Sequence, residues 1–202
     1  MNTWLIRPVP HGINRLQEFR TRNIIAIGWP QIGNLSGQSR ESIKKLLASP
    51  PNNYTGLVLG NAYATIDIFV NRINTGDIVL VPNGDDIYFA EVTTGYFFDD
   101  SFVNEGYPHQ RKVKWLADTS RESLSKELRS SLKVHRTAAD LSRHSTEIAA
   151  LATGNPLPVT KTIDVSYPLR PDFSVVFKIP ADITKTEADR LSTYLRSLYY
   201  SE

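Results

Sequence analysis

The chain has 202 residues, of which 41% are hydrophobic, 22% charged and 10% aromatic, and its formal net charge is +2. This length allows one full domain with a small appendage, and the hydrophobic fraction excludes wholesale disorder. The absence of cysteine excludes disulfides and a thiol nucleophile. No apolar run approaches the ~20 residues that cross a bilayer, and Arg7 interrupts the N-terminus before a signal peptide can form. We therefore expect a cytoplasmic protein without a membrane partner.

The first third of the chain predicts two short strands and three helices. In chain order these are a strand at 4–6, a helix at 15–22, a strand at 24–27, a helix after Ser39 and a helix from about Ala62. The run 24–27 is apolar and largely β-branched, which is typical of a buried strand. Ser39 is a suitable N-cap for the second helix, which ends before two prolines.

The middle of the chain changes to strand periodicity. Apolar runs at 78–81, 87–92, 96–98 and 113–116 are separated by short turns, the first of them built on Asn83 and Gly84. This pattern predicts an antiparallel meander. Together with the N-terminal strands it favours a small mixed β-barrel surrounded by helices, which is an α+β fold.

The last part of the chain predicts helices, a boundary and a short tail. A capping box at 119–122 is expected to open one helix, and helical periodicity continues to about residue 154. We place the domain boundary there, with a first domain at 1–154 and a tail at 155–202. The tail shows one alternating strand at 173–179 and one helix after a second capping box at 184–187. Because ~45 residues rarely fold alone, the tail must dock on the domain or on a partner.

The charges are unevenly distributed along the chain. Residues 109–136 contain eight Lys and Arg against three acids, a net charge of +5, and follow a segment that has six acids and no Lys or Arg. A polarised basic surface favours polyanions such as nucleic acid. A solvated helix face explains the same charges equally well.

Motif searching finds no catalytic, cofactor or metal signature. Phosphate-cradling glycine loops, zinc-binding histidine pairs and nucleophile elbows are absent, and the four histidines have no ligand spacing. Asp85 and Asp86 are explained as turn residues. We therefore predict a protein that is not an enzyme and that has no cofactor or metal. Trp29 is the most informative aromatic residue, since it stands between a buried strand and a flexible polar loop. It fits either the floor of a stacking pocket or a plug at the barrel end.

Four segments occur in the same order as in the N-terminal domain of Mrr-type restriction proteins, which the chain resembles over about residues 3–135. They are NIIAIGWPQIGNLS at 23–36, NTGD at 74–77 with its strand, IYFAEVTTGYFFD at 87–99 and YPHQRKVKWL at 107–116. That domain is similar to the PUA-like group, including EVE-like folds that bind nucleic acid. Several members hold a flipped, modified base in an aromatic-lined pocket.

The resemblance implies a base pocket and a phosphate-binding strand. The pocket residues implied by matching position are Trp29, Asn34, Ser36, Asn61, Tyr63 and Arg7, and the phosphate-binding residues are Arg111, Lys112 and Lys114. The chain departs from the family at Asn34, where an aspartate is common, and lacks the acids of the fused nuclease domain. A separate nuclease or defence effector is therefore an expected partner.

The leading function is a non-catalytic reader of a flipped modified base in DNA, in a restriction or phage-defence context. The alternatives are a structured-RNA-binding protein, a protein-interaction adaptor and a sensor of free nucleotides. A base reader predicts a basic concave face around Trp29, and a nucleotide sensor predicts an enclosed cavity without a basic rim. An adaptor predicts a filled pocket and an apolar patch near Tyr194, Tyr199 and Tyr200.

Overall fold

The computed structural model describes residues 1–154, 162–181 and 183–198 and divides the chain into the units Met1–Leu157 and Pro158–Glu202. The strands are β1 Thr3–Ile6, β2 Ile24–Ile27, β3 Ile78–Asn83, β4 Asp86–Val92, β5 Phe97–Phe98, β6 His109–Ser120, β7 Ala138–Asp140, β8 Thr162–Arg170 and β9 Phe173–Pro180. The helices are α1 Leu16–Arg22, α2 Arg40–Ala48, α3 Gly56–Asp67, α4 Lys126–Ser131, α5 Ser145–Ala152 and α6 Lys185–Arg196. None of the described helices has the length and apolarity required to span a bilayer.

The first unit is built on one curled sheet with the strand order β2-β6-β4-β3-β1-β7, and β5 pairs with β6. The antiparallel pairs β3–β4 and β4–β6 confirm the predicted meander. β1 joins β3 in parallel, and β7 pairs antiparallel to β1. The sheet forms a half-barrel with β2 and β7 at its edges. The predicted α+β class, in which helices surround a curled mixed sheet, is therefore confirmed.

Strand alternation sends side chains to both faces of the sheet, where they form two large cores and a smaller cluster of Phe19, Ile24, Ala26 and Tyr107. Trp4 and Ile6 of β1 join a core with α2 and α3, whereas Leu5 joins a second core with α4 and α5. Because helices cover both faces, the strands are apolar on both sides, and β1 and β2 are buried at every position. The loops that form the candidate site described below therefore extend from a rigid framework.

Two local predictions in the first unit are wrong. The capping box at 119–122 does not open an α-helix, because β6 continues to Ser120 along its partner β4 and only a short 3-10 turn follows at Arg121–Ser123. The actual cap of α4 is Ser125, whose Oγ accepts a hydrogen bond from the Leu128 amide at 3.1 Å. Residues 138–140 lie in the stretch that is predicted to be helical, but they form strand β7 beside β1. Pairing with a neighbouring strand overrides the local signal in both cases.

The second unit contains a β8–β9 hairpin and α6, so the predicted single strand is a pair. Apolar residues alternate from Ile163 to Leu169, and this pattern is the sequence signal for β8. The capping box of α6 is confirmed, since Thr184 Oγ1 accepts from the Glu187 amide and the Glu187 carboxylate accepts from the Thr184 amide. Tyr199 and Tyr200, named for the adaptor alternative, lie outside the described residues.

Candidate nucleic-acid interface

Trp29 has a strained backbone at the end of β2. Its φ of 66° and ψ of 47° are left-handed, a conformation that costs roughly 1–2 kcal/mol for a residue with a Cβ. Strain of this kind persists where the surroundings hold it and is concentrated at functional sites. Pro30 follows directly and opens a short 3-10 turn that carries the chain away from the sheet.

A buried histidine fixes the Trp29 backbone. His109 Nε2 lies 3.1 Å from the Trp29 carbonyl oxygen, so that nitrogen must carry the proton, and Nδ1 accepts from the Tyr96 hydroxyl at 2.8 Å. The Tyr96 oxygen in turn accepts from the Leu35 amide at 3.2 Å. Burial lowers the pKa of His109 from 6.5 to about 4 and raises that of Tyr96 to about 12. Both groups are therefore neutral near pH 7.

Half-buried Trp29 lines two cavities, together with Tyr54 and Thr137. The larger, of about 270 Å³, is called here the indole cavity and is lined by Trp29, Tyr54, Val58, Asn61, Ala62, Thr65, His135, Arg136 and Thr137. The smaller, of about 150 Å³, is lined by Val9, Pro10, His11, Gly28, Trp29, Tyr54 and Thr137. Trp29 therefore lies in the wall of an open space. The larger cavity combines aromatic faces with amide, hydroxyl and imidazole groups.

A basic groove of about 600 Å³ adjoins the indole cavity. Its lining consists of Arg7, Arg121, Leu132, Lys133, His135, Arg136 and Thr137, with no carboxylate. Residues 135–137 line both the groove and the indole cavity. The two spaces are therefore adjacent.

Two of the groove cations are hydrogen-bonded to backbone carbonyls, and the other two have no partner within the described residues. Arg7 donates to the carbonyls of Leu132 and Val134 at 2.7 and 2.9 Å, and Arg121 donates to the Gly84 carbonyl at 2.9 Å. Burial, and then the nearby charge of Arg121, lower the pKa of Arg7. The Lys133 and Arg136 side chains are exposed and have no ion-pair or hydrogen-bond partner within the described residues. These two cations are available to an anionic ligand.

The structure brings together only some of the residues implied by the family resemblance. Trp29 and Asn61 share the indole cavity, and Arg7 lies in the groove as a support of the 132–136 segment. Asn34 and Ser36 are exposed and line neither space, and the Asn34 side-chain oxygen accepts from the Ser36 amide, which closes a local turn. Their assignment to a base pocket stays a prediction.

Tyr63 also lies away from the indole cavity. Residues two positions apart on an α-helix differ by ~200° around the helix axis, so Tyr63 and Asn61 occupy nearly opposite faces of α3. The Tyr63 hydroxyl donates to Asp67 at 3.2 Å, and its ring packs beneath Arg40 and Lys44. Tyr63 contributes to the contact between α2 and α3, and its assignment to a base pocket stays a prediction.

Arg111 is buried and cannot contact a phosphate at the surface. Its guanidinium donates to the carbonyls of Phe69 and Val70 at 2.7 and 2.9 Å, where α3 continues into a π-helical turn at Ile68–Arg72. Burial lowers its pKa to about 10. The alternation of β6 explains the error, since position 111 faces the core whereas positions 112 and 114 face solvent.

Lys112 and Lys114 are exposed, but they lie along β6 from the indole cavity. They are three and five residues beyond His109, which holds Trp29, or roughly 10 and 17 Å at the rise of a β-strand. Neither residue lines the groove or the indole cavity. Their phosphate role stays a prediction, and the groove is a basic surface that shares residues with the indole cavity.

Sequence reasoning missed Tyr54, Thr137 and the role of the groove cations. Arg121, Lys133 and Arg136 belong to the basic stretch singled out above, so charge was the signal that located them. Tyr54 follows two prolines and two asparagines, which suggested only a loop. Nothing local marks Thr137, which reaches the site because the neighbouring β7 pairs with β1.

A family model described as "Domain of unknown function (DUF8426)" matches residues 12–141. The chain belongs to this family. The matched range contains the whole lining of the indole cavity, and it includes every groove residue except Arg7. The family domain therefore carries both candidate surfaces, while β8, β9 and α6 lie beyond it. No curated protein matches the chain.

Proposed function

We propose that the Met1–Leu157 unit is a non-catalytic nucleic-acid-binding domain. It takes an unstacked base into the indole cavity and holds neighbouring phosphates in the basic groove. The observation that carries the proposal is the wall at residues 135–137, which the two spaces share. In a nucleotide the base and its phosphates are covalently linked, so a reader needs an aromatic surface and a cationic surface side by side.

The size and lining of the indole cavity suit a single base. Its volume of about 270 Å³ lies just below the range of ~300–1,000 Å³ that holds drug-sized ligands, which are larger than a base. Trp29 and Tyr54 supply aromatic surface for stacking. Asn61 and Thr65 supply hydrogen-bonding groups in the same wall, and both are of the kind that reads base edges.

The energies favour a base that is already weakly held. Extruding a paired base costs a few kcal/mol, and one aromatic stacking contact returns ~1–3 kcal/mol. Stacking on Trp29 alone therefore balances little more than the cost, and the phosphate contacts must supply the remaining affinity. A modified base in DNA is the ligand that the Mrr-type resemblance favours. Structured RNA and free nucleotides present the same chemical groups.

The proposal contains no bond-making step. A nuclease or another defence effector would act on the nucleic acid, while this domain selects where it acts. The restriction or phage-defence setting rests on the Mrr-type resemblance.

Tryptophan fluorescence tests the proposal directly. The chain has three tryptophans, and a base stacked on Trp29 is expected to quench the emission of that residue. The ligands to compare are unmodified, methylated and hydroxymethylated duplexes, single-stranded RNA and free nucleotides. Trp29→Ala should remove the quenching and any preference for a modified duplex, because it removes the stacking surface.

Trp115→Phe is the matched control. Trp115 is half-buried on β6 and packs edge-on against Tyr88 at 6.5 Å, outside the indole cavity. This variant should keep both the quenching and the ligand preference. Unchanged ligand discrimination in Trp29→Ala, or no binding of any ligand by the wild-type chain, would reject the proposed function.

A further inference from the structure

The second unit carries an apolar cleft that is open within the part of the unit that the structure describes. The cleft, of about 770 Å³, is lined by Val165, Tyr167, Leu169, Val175, Phe177, Ile179, Leu191, Leu195 and Leu198. Tyr167, Leu169 and Leu198 are 60%, 56% and 50% exposed. Large contiguous apolar patches on a soluble protein generally mark an interaction site. The cleft therefore has the character of a surface that another molecule covers.

The hairpin also has unpaired strand edges. Within the described residues β8 and β9 pair only with each other, and an isolated two-stranded hairpin is marginally stable in water. The two edges differ, because Pro168 deprives β8 of one N–H donor. β9 has neither proline nor glycine from Phe173 to Ile179 and carries a single charge at Lys178. The β9 edge is thus the better template for an added strand.

Charge argues for a partner that is neither nucleic acid nor an anionic membrane. Residues 158–202 contain six Lys and Arg and six Asp and Glu, so the unit has a net charge of zero. On the polar face of the hairpin, Asp164 stands opposite Lys178. Such a surface neither attracts polyanions nor repels a second copy of itself.

A second copy offers the matching apolar surface. In the described part of the first unit the exposed large apolar residues are Met1, Val9, Ile13, Leu57 and Val58, five against the nine that line the cleft. A second copy of the hairpin and α6 presents the same cleft and the same free edge. Two-fold pairing through identical patches is the commonest way in which soluble chains associate.

We propose that two copies of the chain associate through β9. The strands pair antiparallel about a two-fold axis near Val176, which gives the order β8-β9-β9-β8. An axis perpendicular to the sheet keeps both clefts on one side, where they merge beneath the two α6 helices. Val176 lies on the opposite, polar face and is 66% exposed. In this arrangement it stands directly beside its own copy.

The test is the mass of the full-length chain in solution, measured by light scattering over a range of concentrations. The wild-type chain is expected at twice the mass of one chain. Val176→Lys and Val176→Glu should each shift the chain towards one-chain mass, because like charges directly opposite across a strand pair are destabilising. An equimolar mixture of the two variants should restore the two-chain mass, since opposite charges then meet at the axis.

Ser166→Lys is the matched control. Ser166 is the cross-strand partner of Val176 on the same polar face, but it lies on β8, one strand further from the axis. In the proposed sheet the two copies of position 166 are about 14 Å apart, beyond the Debye length at physiological salt. This variant should keep the two-chain mass.

Several results would overturn the association. They are a wild-type chain at one-chain mass throughout the range, a mass above two chains, a Val176→Lys variant that stays paired, and a mixture that does not re-associate. Circular dichroism of each variant shows that it is folded. The mixture also guards against misfolding, because only folded variants can restore the pair.

Discussion

Removing the two free cations of the basic groove should weaken nucleic-acid binding by an amount that can be calculated. Lys133 and Arg136 are exposed and unpaired within the described residues, so Lys133→Ala with Arg136→Ala should leave the fold intact. Each phosphate contact on duplex DNA adds ~0.9 to the slope of log affinity against log salt. Relative to 1 M salt, where screening removes its contribution, each contact is therefore worth ~8-fold in affinity at 0.1 M salt, and the pair ~60-fold.

The assay is a salt titration of binding affinity by fluorescence anisotropy. The double variant should show the ~60-fold loss at 0.1 M salt and a slope that is shallower by ~1.8, or by ~1.4 on a single strand. Base preference should be unchanged, because phosphate contacts position the ligand and carry no sequence information. A preference that disappears together with the affinity would show that these residues also read the base.

Lys112→Ala with Lys114→Ala is the control that isolates position from charge. Both double variants remove two positive charges from a chain of net charge +2, so any general electrostatic effect is the same. The β6 pair lies away from the indole cavity and should change affinity and slope less than the groove pair does. Equal effects, or a larger effect of the β6 pair, would refute the placement of the phosphates in the groove.

Two further predictions concern the framework of the site. His109 is neutral in the fold, with its pKa lowered to about 4 by burial, so the unfolded chain takes up this proton first as the pH falls below about 6.5. The free energy of unfolding should therefore fall by about 3 kcal/mol between neutral pH and pH ~3.5 from this group alone. Urea unfolding of His109→Gln should lack this component, and the same pH dependence in both proteins would contradict the assignment. Asp77 accepts hydrogen bonds from the Asn2 amide, the Trp4 indole and the Asn74 amide at 2.8, 2.8 and 3.0 Å. Asp77→Asn replaces one acceptor oxygen with an NH2 group that faces an N–H donor. It should lower the free energy of unfolding, measured in urea, by about 1–3 kcal/mol. A loss below about 0.5 kcal/mol would show that the N–H groups find other partners.

Local patterns in the sequence were enough to predict most of the elements. The β-branched run at 24–27, the Ser39 cap and the Asn83–Gly84 turn each depend on residues that are neighbours along the chain, and β2, α2 and the β3–β4 hairpin follow from them. The capping box of α6 is of the same kind. The boundary of the first unit near residue 157 also lies close to the predicted position.

Long-range pairing decided what local patterns could not. The switch at Ser120 from an expected helix to continued strand, and the strand at 138–140, arise from partners in β4 and β1 that are far away in sequence. The face occupied by Arg111 depends on the register of β6, since a shift of one residue exchanges its buried and exposed sides. For this reason a residue that looked like a phosphate ligand is buried in the fold.

For the candidate site, the sequence determined which chemistry was available, and the tertiary structure decided where it meets. A tryptophan at a strand end and a basic stretch at 109–136 are both visible in the sequence. Only folding brings Trp29, Tyr54 and Arg136 to one wall, because the parallel pairing of β1 with β3 and the addition of β7 carry residues 135–137 back across the sheet. Periodicity records which way each side chain faces along its own element. It does not give the distance between elements, and a site forms only where residues of different elements come close together.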